Sequence, residues 1–368
     1  MIADGQMINL DLGDPGYSPP ESAKAAVARA LVRHSGPWRY GPPAGLPALR
    51  RQVAERAAAA HGLDVDPSWV VVTAGASLAL AAVIAATTKP GEGVLCPDPG
   101  YPAFAALTGR LGRRVVWYPA MGLRGHTDPR AVERCITPGS RLLIWNSPSN
   151  PVGTLATAET AATVADIARR HHLALASDEV YADLCYDGTH VSPLACGGER
   201  CCAIVSFSKS YALAGFRVGV VVARPALAAA ICAAHWSLGM SASVLGQHAA
   251  LGALAAPDSY LADLRATLRR RRDELAALFR SVQIPHELPR SGLFFWLDVG
   301  AAGQDGDGFA RRLAADAGVL ISGGAIYGPA GARFVRVSFG APEDEVRRGA
   351  KLLADCFAEW ACGAAVPR

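Results

Sequence analysis

The segment Ser206-Phe207-Ser208-Lys209-Ser210-Tyr211-Ala212-Leu213-Ala214-Gly215-Phe216-Arg217-Val218-Gly219 sets a primary amine among hydroxyls, with a guanidinium eight residues further on. It follows the apolar run Ala203-Ile204-Val205. Such a run reads as a strand of a parallel sheet, and the strand end is where an open α/β sheet places its ligands. An amine there is a nucleophile toward a carbonyl, while Ser206, Ser208 and Arg217 are groups suited to a phosphate dianion. Together they suggest a phosphorylated aldehyde, pyridoxal 5′-phosphate (PLP), held on Lys209.

Four further segments carry groups of the same kind. Thr73-Ala74-Gly75-Ala76-Ser77 opens a helix expected over 78–87, and the unpaired N–H groups of a helix start suit a phosphate. Pro97-Asp98-Pro99-Gly100-Tyr101-Pro102 is a rigid turn ending in an aromatic ring. Asp178-Glu179-Val180-Tyr181 brings a carboxylate to the end of another apolar run. Arg336, in Arg336-Val337-Ser338-Phe339-Gly340, offers a planar fork that binds a carboxylate through two hydrogen bonds, with Arg333 as its rival. Taken singly, each has a plain structural explanation: a turn cap, a packed tyrosine, an acidic helix start, a surface arginine.

The elements that must position these groups are visible as alternation. Short β-rich runs at 69–73, 93–96, 115–118, 141–145, 173–176 and 202–205 are separated by alanine-rich helical stretches. That pattern predicts an α/β fold with a mostly parallel sheet covered on both faces. A long helix over 259–282 leads to further strands at 292–298 and 333–338, a smaller α+β region. A chain of 368 residues, 51% hydrophobic and 18% charged, is long enough for a large and a small domain. The net charge of +4 is small, and the run Arg269-Arg270-Arg271-Arg272 reads as a solvated helix face rather than a nucleic-acid surface. The nine cysteines are odd in number and scattered, as in a reduced cytoplasmic protein, and no metal-ligand spacing is present. No export signal or membrane span is evident.

In kind and order these motifs resemble the class I/II aminotransferases, among the fold type I PLP-dependent enzymes, over nearly the whole chain. Asn146-Ser147-Pro148-Ser149-Asn150-Pro151-Val152-Gly153 is similar to that family's Asn-Pro-x-Asn-Pro-Thr-Gly loop, with Val152 at the threonine position. The resemblance implies catalytic roles for Lys209, Asp178 and Tyr181. Backbone at Ala76 and Ser77, with Ser206, Ser208 and Arg217, would hold the cofactor phosphate. Tyr101 would stack on the pyridine ring, Asp178 would pair with its nitrogen, and Asn150 and Tyr181 would donate to its phenolic oxygen. Arg336, Gly13 and Asn150 would receive the substrate. Tyr40 would reach the phosphate of a neighbouring subunit, which implies a homodimer with shared sites.

The resemblance also implies that residues 41–260 form the PLP-binding domain, and that 1–40 join 261–368 in a discontinuous small one. The activity implied is transfer of an amino group between an L-amino acid and a 2-oxo acid through a Schiff base on Lys209. Elimination, decarboxylation, cyclisation or oxidation would use the same cofactor groups, and a noncatalytic effector-binding domain is a more distant alternative. Residues 225–264 contain no lysine or arginine; since some dicarboxylate-specific members of the family it resembles place an arginine for the distal carboxylate in that interval, the resemblance argues against an aspartate-specific enzyme. His235, Trp236, Met240, Ser241, Ser243, Tyr17 and Trp38 are candidates for the side-chain pocket.

Overall fold

The computed structural model describes residues 7–32, 38–120 and 127–364. Its strands in chain order are β1 (Ile8–Asn9), β2 (Val70–Thr73), β3 (Gly93–Asp98), β4 (Arg114–Pro119), β5 (Ser140–Asn146) and β6 (Ala174–Asp178). They continue with β7 (Cys201–Ser206), β8 (Gly219–Ala223), β9 (Phe294–Asp298), β10 (Val319–Leu320), β11 (Ser322–Gly323) and β12 (Phe334–Ser338). Seven of them form the main sheet, in the order β2-β8-β7-β6-β5-β3-β4.

The central strands are buried on both faces, which is why they read as continuous apolar runs. Along β5, Leu143 and Trp145 join one core and Leu142 and Ile144 the other. The adjacent Cys201 and Cys202 likewise point to opposite faces, and both are free thiols. Helices on the two faces supply the rest of each core, so the sheet is the middle layer of three.

Pairing is parallel from β4 through β3, β5, β6 to β7, and antiparallel where β8 meets β7 and β2. This exception matters for the site. Because β8 runs backwards, its first residue Gly219 stands level with the last residues of β2 and β7, Thr73 and Ser206. Asn146 and Asp178 are matched in the same way at the ends of β5 and β6. One edge of the sheet therefore collects the turn after β2, the lysine turn, the asparagine loop and the aspartate.

A second, antiparallel sheet, β11-β12-β9, is packed by the helices Asp258–Ser281 and Glu343–Ala364 around its own apolar core. β1 pairs in parallel with β10, Ile8 opposite Val319, so the start of the chain is stitched to its C-terminal part. The next helix, Glu21–Leu31, instead packs on the helix Val244–Leu254. Among the described residues no helix is long and apolar enough to cross a membrane.

The contact between those two helices depends on Gly252, where an added Cβ would sit 2.4 Å from the Ser22 carbonyl oxygen and 2.7 Å from Ala23 Cα. Both neighbours are backbone, which yields little. Gly252→Ala is expected to destabilise the fold by about 1–3 kcal/mol, as overpacking does, and to lower the thermal midpoint in calorimetry; an unchanged midpoint would show that the helices part freely.

Candidate active site

The strand ends converge on a cavity of about 280 Å³. At one end the turn after β2 enters the helix Ala76–Thr87 through Gly75, whose φ is 86°. No side chain caps this helix start, so its first N–H groups have no partner from the chain's own caps. Arg217, in the left-handed region at φ 53°, lies against the turn: a Cβ on Gly75 would come within 2.5 Å of Arg217 Nη2. Gly219 is as confined, since a Cβ there would meet Ala76 N at 2.6 Å. Ser206 and Ser208 are buried beside them, and the Ser206 hydroxyl accepts from the Ser208 N–H at 3.1 Å. Uncapped N–H groups, two hydroxyls and a guanidinium make an anion berth.

His235 supports this berth from behind. It is fully buried, and its Nε2 accepts from the Ala74 N–H at 3.1 Å. Burial lowers its pKa, consistent with the neutral ring that an acceptor requires.

Lys209 extends from the short helix Phe207–Ser210 into the cavity. Its Nζ donates to the Gly13 carbonyl at 2.5 Å, and its own carbonyl accepts from Tyr17 Oη at 2.5 Å. The N-terminal strap is thus tied to the lysine turn twice. Gly13 has no room for a side chain, because a Cβ would lie 2.6 Å from the Phe294 ring. Burial, then the positive charge of Arg336, bring the Lys209 pKa down to about 8; Asp14 opposes them, and Arg217 adds a smaller lowering effect.

Asp178 and Glu179 are adjacent and buried but differ in electrostatics. Burial pushes Asp178 up to about 7, with only the Val180 N–H opposing it by hydrogen bonding. Glu179 would also be raised by burial, yet His190 and Ser192 hold it below the usual carboxylate range, with His190 Nε2 at 2.9 Å. Asp178 therefore faces the cavity without a cationic partner of its own. Tyr181 is buried edge-on to Phe294, and burial raises its hydroxyl pKa.

Arg336 projects from β12 and is 7% exposed. Nη1 donates to Asn150 Oδ1 at 3.0 Å and Nη2 to the Asp11 carbonyl at 2.6 Å, while Nε is buried with no partner. The guanidinium carbon lies 3.8 Å from the Phe294 ring centroid and 5.0 Å from that of Tyr327. Its rival Arg333 is at the surface, paired with Asp298 at 2.7 Å. Because Arg336 takes the carbonyl oxygen of Asn150, the NH₂ is what that side chain has left to offer.

Gly13, Ala76, Ser77, Tyr101, Asn150, Asp178, Tyr181, Ser206, Ser208, Lys209, Arg217 and Arg336 all line this one cavity. Tyr40 does not: it is 77% exposed and outside the cavity of its own chain. Nor do His235, Trp236, Met240, Ser241, Ser243, Tyr17 or Trp38 line it; Tyr17 and His235 act instead on the backbone of the lysine and phosphate turns. Asn146 and Ala214 of the same motifs also line it, as do Leu12, Leu80, Val180 and Phe294, which were not singled out from sequence, where isolated apolar residues near a motif look like core.

The chain matches the model of the family described as aminotransferase class I and II over residues 5–353. It is 34% identical to an arginine–pyruvate transaminase of Pseudomonas aeruginosa, over 96% of this chain and 91% of that one. To a valine–pyruvate aminotransferase of Mycobacterium tuberculosis it is 32% identical, over 95% and 90%. An aspartate aminotransferase from Thermus thermophilus, solved with maleate, superposes with a TM-score of 0.90 at 30% identity, over 95% of this chain and 92% of that chain.

Competitive labelling of the cofactor-free protein with trace acetic anhydride, read by peptide mass spectrometry across pH, tests the setting of Lys209. Only the neutral amine reacts, so a lowered pKa moves its labelling midpoint down, to about 8. A midpoint near the ~10.4 of an ordinary lysine would contradict the buried, cation-flanked amine described here.

Proposed function

The chain belongs to the class I and II aminotransferases and has their fold type I architecture, and from this we propose that Lys209 carries PLP and performs the proton transfers of its amino-group exchange. The observation that carries this reading is the convergence of Lys209, Asp178, Arg217 and Arg336 on one cavity. The donor set fits the cofactor: an uncapped helix start with Arg217 for its phosphate, an unpaired buried carboxyl for its ring nitrogen, and a buried amine for its aldehyde.

Bound there, the cofactor supplies an aldehyde that condenses with amines and an electron-withdrawing ring that acidifies the substrate α-carbon. Arg217, Ser206, Ser208 and the N–H groups of Ala76 and Ser77 hold the phosphate. Asp178, ionised once a cation faces it, keeps the ring nitrogen protonated. Tyr181 and the NH₂ of Asn150 would donate to the phenolic oxygen, and Tyr101 would pack against the ring. Arg336, with the backbone of Gly13, receives the α-carboxylate of the amino acid or 2-oxo acid. Lys209 Nζ would take the proton from the substrate α-carbon and release it again as general acid, a role for which a pKa near 8 suits an amine at neutral pH.

We further propose a cytoplasmic homodimer in which Tyr40 serves the neighbour's phosphate; its exposure and its distance from its own cavity support this. The division into 41–260 and 1–40 with 261–368 is proposed as well. Pairing of β1 with β10 supports it, while packing of the helix Glu21–Leu31 on Val244–Leu254 ties residues 7–32 to the larger body as well.

Lys209→Ala is expected to lose the covalent cofactor band and to lower kcat by at least ~100-fold, the scale of one acid–base group; retained turnover would overturn the assignment. Among the described lining residues the cations are Lys209, Arg217 and Arg336, all committed to other groups. Amino acids with neutral side chains should therefore exceed aspartate in kcat/KM by at least ~10-fold, since a distal carboxylate would enter unpaired; faster turnover of aspartate would contradict this.

A further inference from the structure

Asp98 ends β3, three residues before Tyr101, and does not line the cavity. Its half-buried carboxylate reaches across to the turn that precedes β12. Oδ1 and Oδ2 accept the Ala330 N–H at 3.0 and 3.2 Å. The approach is close enough to require glycine at 328, which has φ 129° and where a Cβ would fall 2.3 Å from Asp98 Oδ1. Two residues along the same loop, the Gly100 N–H donates to the Tyr327 carbonyl at 2.8 Å. The loop bearing Tyr101 is thereby latched to the turn bearing Tyr327.

Tyr327 is buried, and its placement bears directly on Arg336. Its ring lies under the guanidinium and edge-on to Trp296 at 5.3 Å. Its hydroxyl donates to Ser322 Oγ at 3.1 Å, Ser322 donates to the Asp11 carboxylate, and the Asp11 carbonyl accepts from Arg336. Movement of the 327–331 turn would shift both the ring beneath the guanidinium and the chain of hydrogen bonds that aims it.

We propose that Asp98 is a positioning residue that, through the Gly328–Ala330 turn and Tyr327, holds Arg336 in the orientation that receives the substrate carboxylate. This rests on the reading of Arg336 given above. The carboxylate acts without touching substrate or cofactor, so its loss should weaken carboxylate binding while leaving cofactor binding and the chemical step largely alone.

The experiment compares PLP-loaded wild type, Asp98→Ala, Asp98→Asn, Gly328→Ala and Arg336→Lys. For each it measures KM and kcat for one amino acid, the Kd of an unreactive monocarboxylate, and the Kd of PLP. Asp98→Ala should raise KM and the carboxylate Kd about tenfold, the scale of one lost charge-assisted hydrogen bond, with kcat and the PLP Kd within about twofold. Asp98→Asn keeps an acceptor oxygen and should recover most of the loss. Gly328→Ala should reproduce the Asp98→Ala phenotype with Asp98 intact, and carries the test alone should Asp98→Ala fail to fold. If Arg336→Lys weakens carboxylate binding while Asp98→Ala and Gly328→Ala do not, Asp98 has no positioning role. Equal losses in kcat, carboxylate affinity and PLP affinity would reduce Asp98 to a stability residue and overturn the proposal. Unchanged carboxylate affinity in Arg336→Lys would overturn the assignment of Arg336, and this proposal with it.

Discussion

A guanidinium buried without a carboxylate is the constraint from which the site can be understood. Arg336 is 7% exposed, and among the described residues it has no acidic partner within ion-pair distance. Burying a charge costs on the order of several kcal/mol unless other groups compensate it. Here the compensation is partial: two hydrogen bonds to oxygens of Asn150 and Asp11, two aromatic faces, and an Nε left unpaired. The charge also acts on Lys209, where with burial it favours the neutral amine. A carboxylate placed at the open part of the guanidinium would weaken its effect on the lysine. The charge state around Arg336 and the titration of Lys209 are therefore electrostatically linked.

The fold makes this arrangement possible by bringing two separately built edges together. The main sheet supplies Asn146, Asp178 and the Lys209 turn along one edge because its parallel strands all end there. The reversed β8 adds Gly219, and with it Arg217, to the same row. The antiparallel sheet supplies Arg336 from β12, and the strap through Asp11, Gly13 and Tyr17 closes between them. Each acceptor in these contacts is a backbone carbonyl or the short Asn150 side chain, so small displacements of one sheet against the other change the hydrogen bonds directly.

Much of this was legible in the sequence. The strand runs are apolar on both faces and stand out between alanine-rich helices, and the polar residues at their ends name the chemistry. β8 is the exception: only the short helix Phe207–Ser210 and a single 3-10 turn separate it from β7, in place of the long helices that alternate with its neighbours. The helix expected from 78 begins at Ala76, because glycine at 75 takes the turn and the next two residues are already helical. Arg333 and Arg336 are three residues apart and alike in type, and the Val-Ser-Phe that follows favours Arg336; the structure sets Arg336 opposite Trp296 in the pairing of β12 with β9, lining the cavity, and leaves Arg333 to Asp298 at the surface. His235, Tyr17 and Asp98 act through backbone groups far away in sequence, and no local pattern marks such contacts.

The most direct test is an absorbance titration of the PLP-loaded protein with an α-amino acid bearing a neutral side chain, beside the same molecule as its α-carboxamide, followed by a 2-oxo acid. The account predicts that the amino acid converts the aldehyde form of the cofactor to the pyridoxamine form, that the 2-oxo acid reverses the change, and that the carboxamide is ineffective at the same concentration. Equal conversion by the carboxamide would contradict the role of Arg336 as the carboxylate receptor, and no conversion by any amino acid would contradict amino-group transfer at Lys209.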